Sequence, residues 1–341
     1  MSLTSLLLVV PFAAASWLMT RQVLRFALSR GMLDVPNDRS SHSVPVPRGG
    51  GLAIVLATLA GLALSGAAGW MSWRLVLAFC GAVPIAFIGW LDDRMNVTPL
   101  ARIGVHIAAA IWAVLSLGGY QAMSLGSTSL RLGALGSMVA VVAIVWATNL
   151  YNFMDGIDGI AAGEGVVAGA VGAVVMLAAG SASLAWVSLL LAASSAGFLW
   201  WNWSPAKIFM GDVGSGFLGF SFGVLALASE RVAAVPALVW IILLGVFVFD
   251  ATVTLVRRAV RGQRVYAAHR SHAYQRAVRA GLSHARVSMS VVLCSVALGA
   301  LALMAQAWPS LTPVLLVVGG LGLTLIYIAV ERLRPMQSTE Q

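Results

Sequence analysis

The chain has 341 residues, of which 60% are hydrophobic and only 10% charged. A water-soluble domain carries roughly 25% charged residues, so this chain cannot hide its apolar surface in a soluble core and lipid must cover much of it. The two cysteines, Cys80 and Cys294, lie in apolar runs, which excludes a disulfide framework and a Cys/His metal cluster. The net charge of +9 follows membrane topology rather than a nucleic-acid-binding pattern.

The segment from Ser2 to Leu28 has no basic residue before Arg21, and its apolar run is longer than the roughly 7–15 residues of a signal-peptide core. It reads as a retained first helix. At about 20 apolar residues per span, eleven runs qualify: 3–27, 50–69, 74–91, 102–118, 134–151, 161–180, 183–201, 214–229, 235–256, 285–306 and 312–330. The run 214–229 is the shortest fit. Apolar sequence continues from end to end, so residues 1–341 form a single integral membrane domain, an all-α polytopic protein of about 11 transmembrane helices.

Of the 21 lysines and arginines, only Arg74, Arg131 and Arg231 fall in loops on one side. Positive residues mark the cytoplasm, which makes the segments 29–49, 92–101, 152–160, 202–213 and 257–284 cytoplasmic. The N-terminus is then outside and the C-terminus cytoplasmic, in agreement with the tail Glu331-Arg332-Leu333-Arg334. Among the external connections only 119–133 has any length, and its Gly, Ser and alternating apolar residues predict a small hairpin. All the motif-like sequence lies on the cytoplasmic face.

The first of these segments, Pro36 to Gly51, has prolines that fix an extended path and glycines that open the next helix, with Arg48 between them. Asp92 and Asp93 are adjacent as a span ends, followed by Arg94. Neighbouring carboxylates repel unless a cation or a proton sits between them; a polar stop after a helix and a functional pair are equal readings. In Asn149-Leu150-Tyr151-Asn152-Phe153-Met154-Asp155-Gly156-Ile157-Asp158-Gly159 two amides and two acids crowd a membrane boundary. Asp155 and Asp158 are three apart, so a helical turn would put them on one face. Phe209-Met210-Gly211-Asp212-Val213-Gly214 places one acid among glycines ahead of an apolar helix, whose free N–H groups suit phosphate oxygens. The longest loop holds His269, Arg270 and His272 among many arginines; these either grip phosphate or only set orientation. Asp250 lies inside a span, about 10 Å from Arg257 at 1.5 Å per residue, and is expected to make a structural polar contact. Acids converging where lipid meets cytosol suggest a hard divalent cation held by oxygen.

These segments resemble the polyprenyl-phosphate N-acetylhexosamine-1-phosphate transferases. The matching pieces occur in that superfamily's order: Pro47-Arg48-Gly49-Gly50-Gly51, Asp92-Asp93, Asn152-Phe153-Met154-Asp155-Gly156, Phe209-Met210-Gly211-Asp212 and the His-rich last loop. The loop reads His269-Arg270-Ser271-His272-Ala273-Tyr274-Gln275, without the run of consecutive histidines of the peptidoglycan enzyme, and is similar to the branch that begins O-antigen or related glycans. The resemblance implies transfer of an N-acetylated hexosamine-1-phosphate (GlcNAc, FucNAc or QuiNAc type) from a UDP-sugar to undecaprenyl phosphate, with release of UMP. It implies Mg2+ as cofactor, with Mn2+ as a substitute, a place in the bacterial inner membrane and a homodimer as an expectation. Asp92, Asp93 and Asp212 are its catalytic candidates. Asp212 is the first candidate for the metal, with Asp92 or Asp93 as an additional ligand. Asn152, Asp155, Asp158, Phe209, His269, Arg270 and His272 would hold nucleotide and sugar. Arg48 and Arg94 are weaker phosphate-binding candidates. A peptidoglycan-precursor transferase, a lipid-linked sugar transporter and a non-catalytic scaffold are the competing readings.

Overall fold

The computed structural model describes residues 7–36, 44–95, 97–264 and 269–336. Residues 1–6 of the first apolar run, 37–43 of the first expected loop, 96 of the second and 265–268 of the last lie outside the described residues, as does the tail beyond 336.

Every apolar run is helical. A 3-10 turn, Leu7–Val9, leads into α1 (Val10–Ser29), followed by α2 (Leu52–Ala67). Next come α3 (Trp73–Cys80) and α4 (Ala82–Met95), which run on as one apolar stretch of 23 residues. The chain continues through α5 (Pro99–Ser116), α6 (Ala134–Phe153), α7 (Ile160–Ala178), α8 (Ala182–Asn202) and α9 (Asp212–Ala233). It ends with α10 (Ala237–Leu243), α11 (Gly245–Val260), α12 (Ala273–Arg279), α13 (His284–Ala307) and α14 (Thr312–Leu333). Helix starts follow local chemistry. The side chains of Ser72, Thr98 and Ser283 each accept a hydrogen bond from the N–H three residues on. Pro99, at the first position of α5, loses nothing by lacking an N–H there.

Among the described residues, eight helices are long and apolar enough to cross a membrane, or nine if α10 and α11 count as one span. With 16 residues α2 is shorter than the ~20 a perpendicular span needs. The apolar sequence of α1 is interrupted by Arg21, Gln22 and Arg25. The run 235–256 is not one straight helix. It bends by 83° where α10 gives way to α11. Leu244, with ψ of 17°, leaves helical geometry there, and Gly245 lets the corner approach Leu298. The short run 214–229 belongs to a full helix of 22 residues.

Two small antiparallel ribbons complete the fold. β1 (Leu33–Asp34) pairs with β2 (Val46–Pro47), and β3 (Ala122–Ser124) pairs with β4 (Ser129–Arg131) as the hairpin expected at 119–133. The hairpin is fixed by Glu230 at the end of α9. Its carboxylate accepts from Tyr120 Oη at 2.8 Å, from the Ala237 N–H at 3.0 Å and from the Ser124 N–H.

The most buried helix is α9, with 83% of its central window enclosed, against 17% for α14 at the periphery. Its Phe217, Phe220 and Phe222 are fully buried. It packs on α4 and α6. In lipid the close approach of helices rests on small residues rather than on a hydrophobic driving force. Gly219 supplies this against α6: a Cβ there would lie 2.5 Å from the Ala147 carbonyl oxygen and 2.7 Å from Tyr151 Cβ. The outcome is a rigid central helix whose first residue is Asp212. Gly219→Val is expected to push α6 and α9 apart and to cost about 2–3 kcal/mol of stability by overpacking. A lowered unfolding temperature in detergent checks this.

Candidate active site

Five charged side chains meet at one end of the bundle, where α4 ends and α5 and α9 begin. Backbone pairing sets the frame. The Phe209 N–H donates to the Pro47 carbonyl at 2.8 Å, and the Gly50 and Gly51 N–H groups donate to the Phe209 and Met210 carbonyls at 2.9 Å. This clamps the 47–51 segment to the start of α9. Two glycines make the clamp tight. Gly211 has φ of +76°, and a Cβ on it would strike the Asp93 carboxylate. At Gly89 a Cβ would lie 2.5 Å from the Asp212 carbonyl oxygen.

Asp93, in the last turn of α4, then accepts from the N–H groups of Asp212 at 3.0 Å and Val213 at 3.4 Å. A carboxylate from another helix thus caps the positive end of α9. Arg48 bridges two acids, with Nε 2.8 Å from Asp93 Oδ1 and Nη2 2.7 Å from Asp212 Oδ1. Burial works against its charge, but Asp93 and Asp212 outweigh it and hold its pKa above the ordinary arginine value. Arg102, in the first turn of α5, bridges the other pair, with Nη1 2.5 Å from Asp92 Oδ2 and 3.1 Å from Asp212 Oδ2. The second oxygen of Asp92 accepts the Val97 N–H at 2.7 Å. Three carboxylates thus meet two guanidiniums in the cluster.

Asp155 lies beside this cluster, in the connector between α6 and α7. Burial, reinforced by Asp212 and Asp93 and opposed by Arg48, pushes its pKa well above the usual carboxylate range. Asn152, at the end of α6, donates from Nδ2 to Ser215 Oγ at 3.1 Å and ties that connector to α9. Phe209 is half-buried on the clamped strand.

Asp158 goes elsewhere. Residues 154–159 form a turn, not a helix, so Asp155 and Asp158 do not share a helical face. Asp158 Oδ2 accepts the Ala206 N–H at 3.2 Å and its Oδ1 lies 3.2 Å from His284 Nδ1. It fastens the 202–211 connector and the start of α13. Arg94 also departs from expectation. Its guanidinium stacks 4.0 Å over the Trp90 ring and its Nη2 reaches Met32 Sδ at 3.8 Å, in the groove that Arg48 and Asp93 also line.

The His-bearing segment docks against the Asp155 connector. Tyr274 Oη donates to the Phe153 carbonyl at 2.9 Å, and the His269 and His272 rings lie 4.9 Å apart, with Phe153 stacked on His272. Burial, together with His272 and Arg258, lowers the His269 pKa to about 3, so its imidazole is neutral at physiological pH. Asp250 makes the structural contact expected of it. It accepts the first N–H groups of α12, from Ala273 at 2.8 Å and Tyr274 at 3.2 Å. Arg270 sits half-buried in the same segment.

Two grooves flank the cluster. One of about 690 Å3, almost wholly apolar, runs between α5, α6 and α11, with Ile103, Asn149, Phe153 and Leu255 in its lining. Ile103 follows Arg102 in α5, but none of the five clustered side chains is in the lining of this groove. The other, about 570 Å3, lies between α1, α4 and the first ribbon and reaches Arg48 and Asp93.

Among the described residues no three His, Cys, Asp or Glu side chains are arranged to hold a metal ion by themselves. The donors that converge are nevertheless all hard oxygens, and Asp155 lies close enough to Asp212 and Asp93 to feel both charges. Magnesium takes one or two carboxylates and draws its other ligands from phosphate and water. The residues fit an ion that arrives with a diphosphate. Both guanidiniums are about a third exposed, which leaves their forks able to grip phosphate oxygens.

Sequence reasoning did not single out Arg102, which it counted only as a charge at the edge of a span, and it placed Arg48, which bridges Asp93 and Asp212, among the weaker candidates. The available signal was a cation just past the Thr98-Pro99 helix start, ten residues from Asp92.

Asp158 allows a pH test. Burial opposes its charge, but the His284 contact and the Ala206 N–H outweigh it, so its pKa is lowered. A depressed carboxyl pKa contributes stability above the ordinary value of about 3.9, lost as pH falls through the folded pKa. Asp158→Asn should therefore unfold at lower temperature than the unaltered protein at pH 7, with the gap closing below pH ~3.5. Thermal unfolding at both pH values checks it.

The comparisons with known proteins agree with this site. Residues 75–230 match the family model described as glycosyl transferase family 4. A Bacillus subtilis (strain 168) protein named as a probable undecaprenyl-phosphate N-acetylglucosaminyl 1-phosphate transferase is 36% identical over 280 residues, covering 81% of this chain and 77% of that protein. The decaprenyl-phosphate N-acetylglucosaminephosphotransferase of Mycobacterium tuberculosis (strain ATCC 25618 / H37Rv) is 30% identical over 324 residues, 82% of this chain and 77% of its own. The undecaprenyl-phosphate alpha-N-acetylglucosaminyl 1-phosphate transferase of Escherichia coli (strain K12) is 28% identical over 294 residues, 81% and 77% of the two chains. With this coverage, and with the motif residues of the superfamily gathered at one end of the bundle, the chain belongs to glycosyl transferase family 4.

Proposed function

We propose that this protein transfers an N-acetylhexosamine-1-phosphate from a UDP-sugar to undecaprenyl phosphate, releasing UMP, and so begins a cell-envelope glycan such as an O-antigen. The observation that carries the reading is the meeting of Asp92, Asp93, Asp212, Arg48 and Arg102 beside an apolar groove. A lipid phosphate needs a groove for its tail and cations for its head. In this reading the α5–α6–α11 groove, which Ile103 helps to line, takes the tail, and Arg102, its neighbour in α5, takes the head. The relatives' names favour N-acetylglucosamine as the first donor to try.

In this reading an oxygen of the acceptor phosphate attacks the β-phosphorus of the UDP-sugar, the bond to the bridging oxygen breaks, and UMP departs with the electron pair. A phosphate monoester has its second pKa near 6 and is already mostly dianionic at neutral pH, so no side chain has to act as a base. Positioning and charge neutralisation then carry the rate. Arg102 holds the acceptor phosphate and Arg48 the diphosphate, each moving part of its grip from carboxylate to phosphate. Asp212 and Asp155, with Asp92 or Asp93, would hold magnesium, which supplies Lewis-acid stabilisation of the phosphate oxygens. Asn152 and Phe209 border the nucleotide, and His269, Arg270 and His272 the sugar and diphosphate. Asp158 and Arg94 are left out of the chemistry. All eleven helical runs span the bacterial inner membrane, the N-terminus outside and the site facing the cytoplasm, where nucleotide sugars are made. The order of the basic loops supports that orientation.

The test is UMP release by purified protein in detergent with undecaprenyl phosphate, magnesium and separate UDP-N-acetyl sugars. Release should require both lipid phosphate and magnesium and stop with EDTA. Asp212→Asn should lower turnover by about 100-fold or more, as loss of a charge-stabilising group does. Arg102→Ala should raise the KM for the lipid phosphate by about tenfold, the size of a lost charge-assisted contact. Unchanged turnover in Asp212→Asn would remove the cluster from the reaction.

A further inference from the structure

We propose that Glu331, near the end of α14, is the positioning residue for the His269–His272 segment and thereby sets the affinity for the sugar-nucleotide donor. The proposal rests on the transfer reaction above. Glu331 lies far outside the matched family region, which ends at residue 230.

Glu331 joins two elements. Arg257 of α11 grips it with both ends of its fork, Nη1 2.7 Å from Oε2 and Nη2 3.0 Å from Oε1. Arg276 of α12 places Nη1 2.5 Å from Oε2 and also donates to the Arg334 carbonyl at 2.9 Å. Arg276 is only 2% exposed, and its Nε and Nη2 have no hydrogen-bond partner. Glu331 is thus the carboxylate that satisfies a buried cation, and its loss would strand that charge. Arg334 Nη1 adds a third tie, donating to the Arg279 carbonyl at 3.1 Å where α12 ends.

Packing alone does not fix α12. Beneath it lies an apolar cavity of about 210 Å3, bounded by Tyr274 and Ala277 above and by Val291, Leu323 and Val330 of α13 and α14. A void forfeits the dispersion contacts that would lock a helix in place. Polar tethers set its position instead: Asp250 at the start, Glu331 through Arg276 in the middle, Arg334 at the end. His272 immediately precedes α12, and His269 rests on His272. A shift of α12 therefore moves both imidazoles. Arg102 itself pairs with Asp92 and Asp212, neither of which belongs to this latch.

The experiment compares the unaltered protein with Glu331→Gln, Glu331→Asp, His272→Ala and the Glu331→Gln/His272→Ala pair, using the donor that supports UMP release. Glu331→Gln should raise the donor KM about tenfold while the lipid-phosphate KM moves less than about twofold, the signature of a lost binding contribution on one substrate. Glu331→Asp should recover most of the loss. In the His272→Ala background Glu331→Gln should add nothing, because a residue acting through His272 is not additive with its removal. Backbone hydrogen exchange across 269–279 should quicken in Glu331→Gln even without substrate. If Glu331→Gln does not fold, Arg257→Gln, which removes one arm of the latch, should raise the donor KM about threefold. An unchanged donor KM, additive effects with His272→Ala or unaltered exchange would overturn the latch. An inactive unaltered protein would instead overturn the transfer reading, with hydrogen exchange still deciding the latch.

Discussion

Asp212 is the first residue of the most buried helix and the point where two guanidiniums and the cap from Asp93 come together. A helix that begins inside a protein leaves N–H groups without partners. Here Asp93 supplies two of the missing acceptors, and Arg48 lies against the same carboxylate. Removing Arg48 would leave Asp93 without a guanidinium, and removing Arg102 would do the same to Asp92, which ties the members of the cluster together. The strand clamp at 47–51, the tight passage at Gly211 and the close packing of Gly89 all serve to bring α4 and α9 near enough for this contact.

The same arrangement explains how a membrane body can handle charged substrates. Carboxylates at the lipid boundary are costly unless paired, and Arg48 and Arg102 pair them in the absence of substrate. Phosphate competes for the same guanidinium forks with better bidentate geometry. The resting ion pairs therefore mark where substrate phosphates are expected to sit. In the proposed reading the apolar groove between α5, α6 and α11 keeps a lipid tail in the bilayer while its phosphate reaches the cluster. Asp158 is held instead by a main-chain N–H and a histidine, whereas Arg94 lines the groove of Arg48 and Asp93 with its guanidinium on a tryptophan ring.

Much of this was legible in the sequence. The apolar runs needed only a length scale, and every one of them is helical, including 214–229, whose glycines and serines lower its hydrophobicity because close helix packing needs small residues. Asp92, Asp93 and Asp212 stood out because acids are scarce and these sit at span ends. Three features were not legible. Arg102 looked like any arginine at the end of a span, since its role depends on α5 lying beside α9. The turn at 154–159 broke the helical spacing that would have paired Asp155 with Asp158, because Gly156 and Gly159 favour a turn. The 83° bend and the short helix α12 depend on tertiary contacts, at Gly245 against Leu298 and at Asp250 on the N–H groups of α12.

The central claim is that the cluster moves a phosphate, not only a sugar. A donor radiolabelled in its β-phosphate tests this directly, with the protein, undecaprenyl phosphate and magnesium present. The account predicts that the label passes into the organic-extractable lipid together with the sugar, leaving unlabelled UMP in the water phase. Label retained in aqueous UDP while the sugar alone reaches the lipid would contradict it.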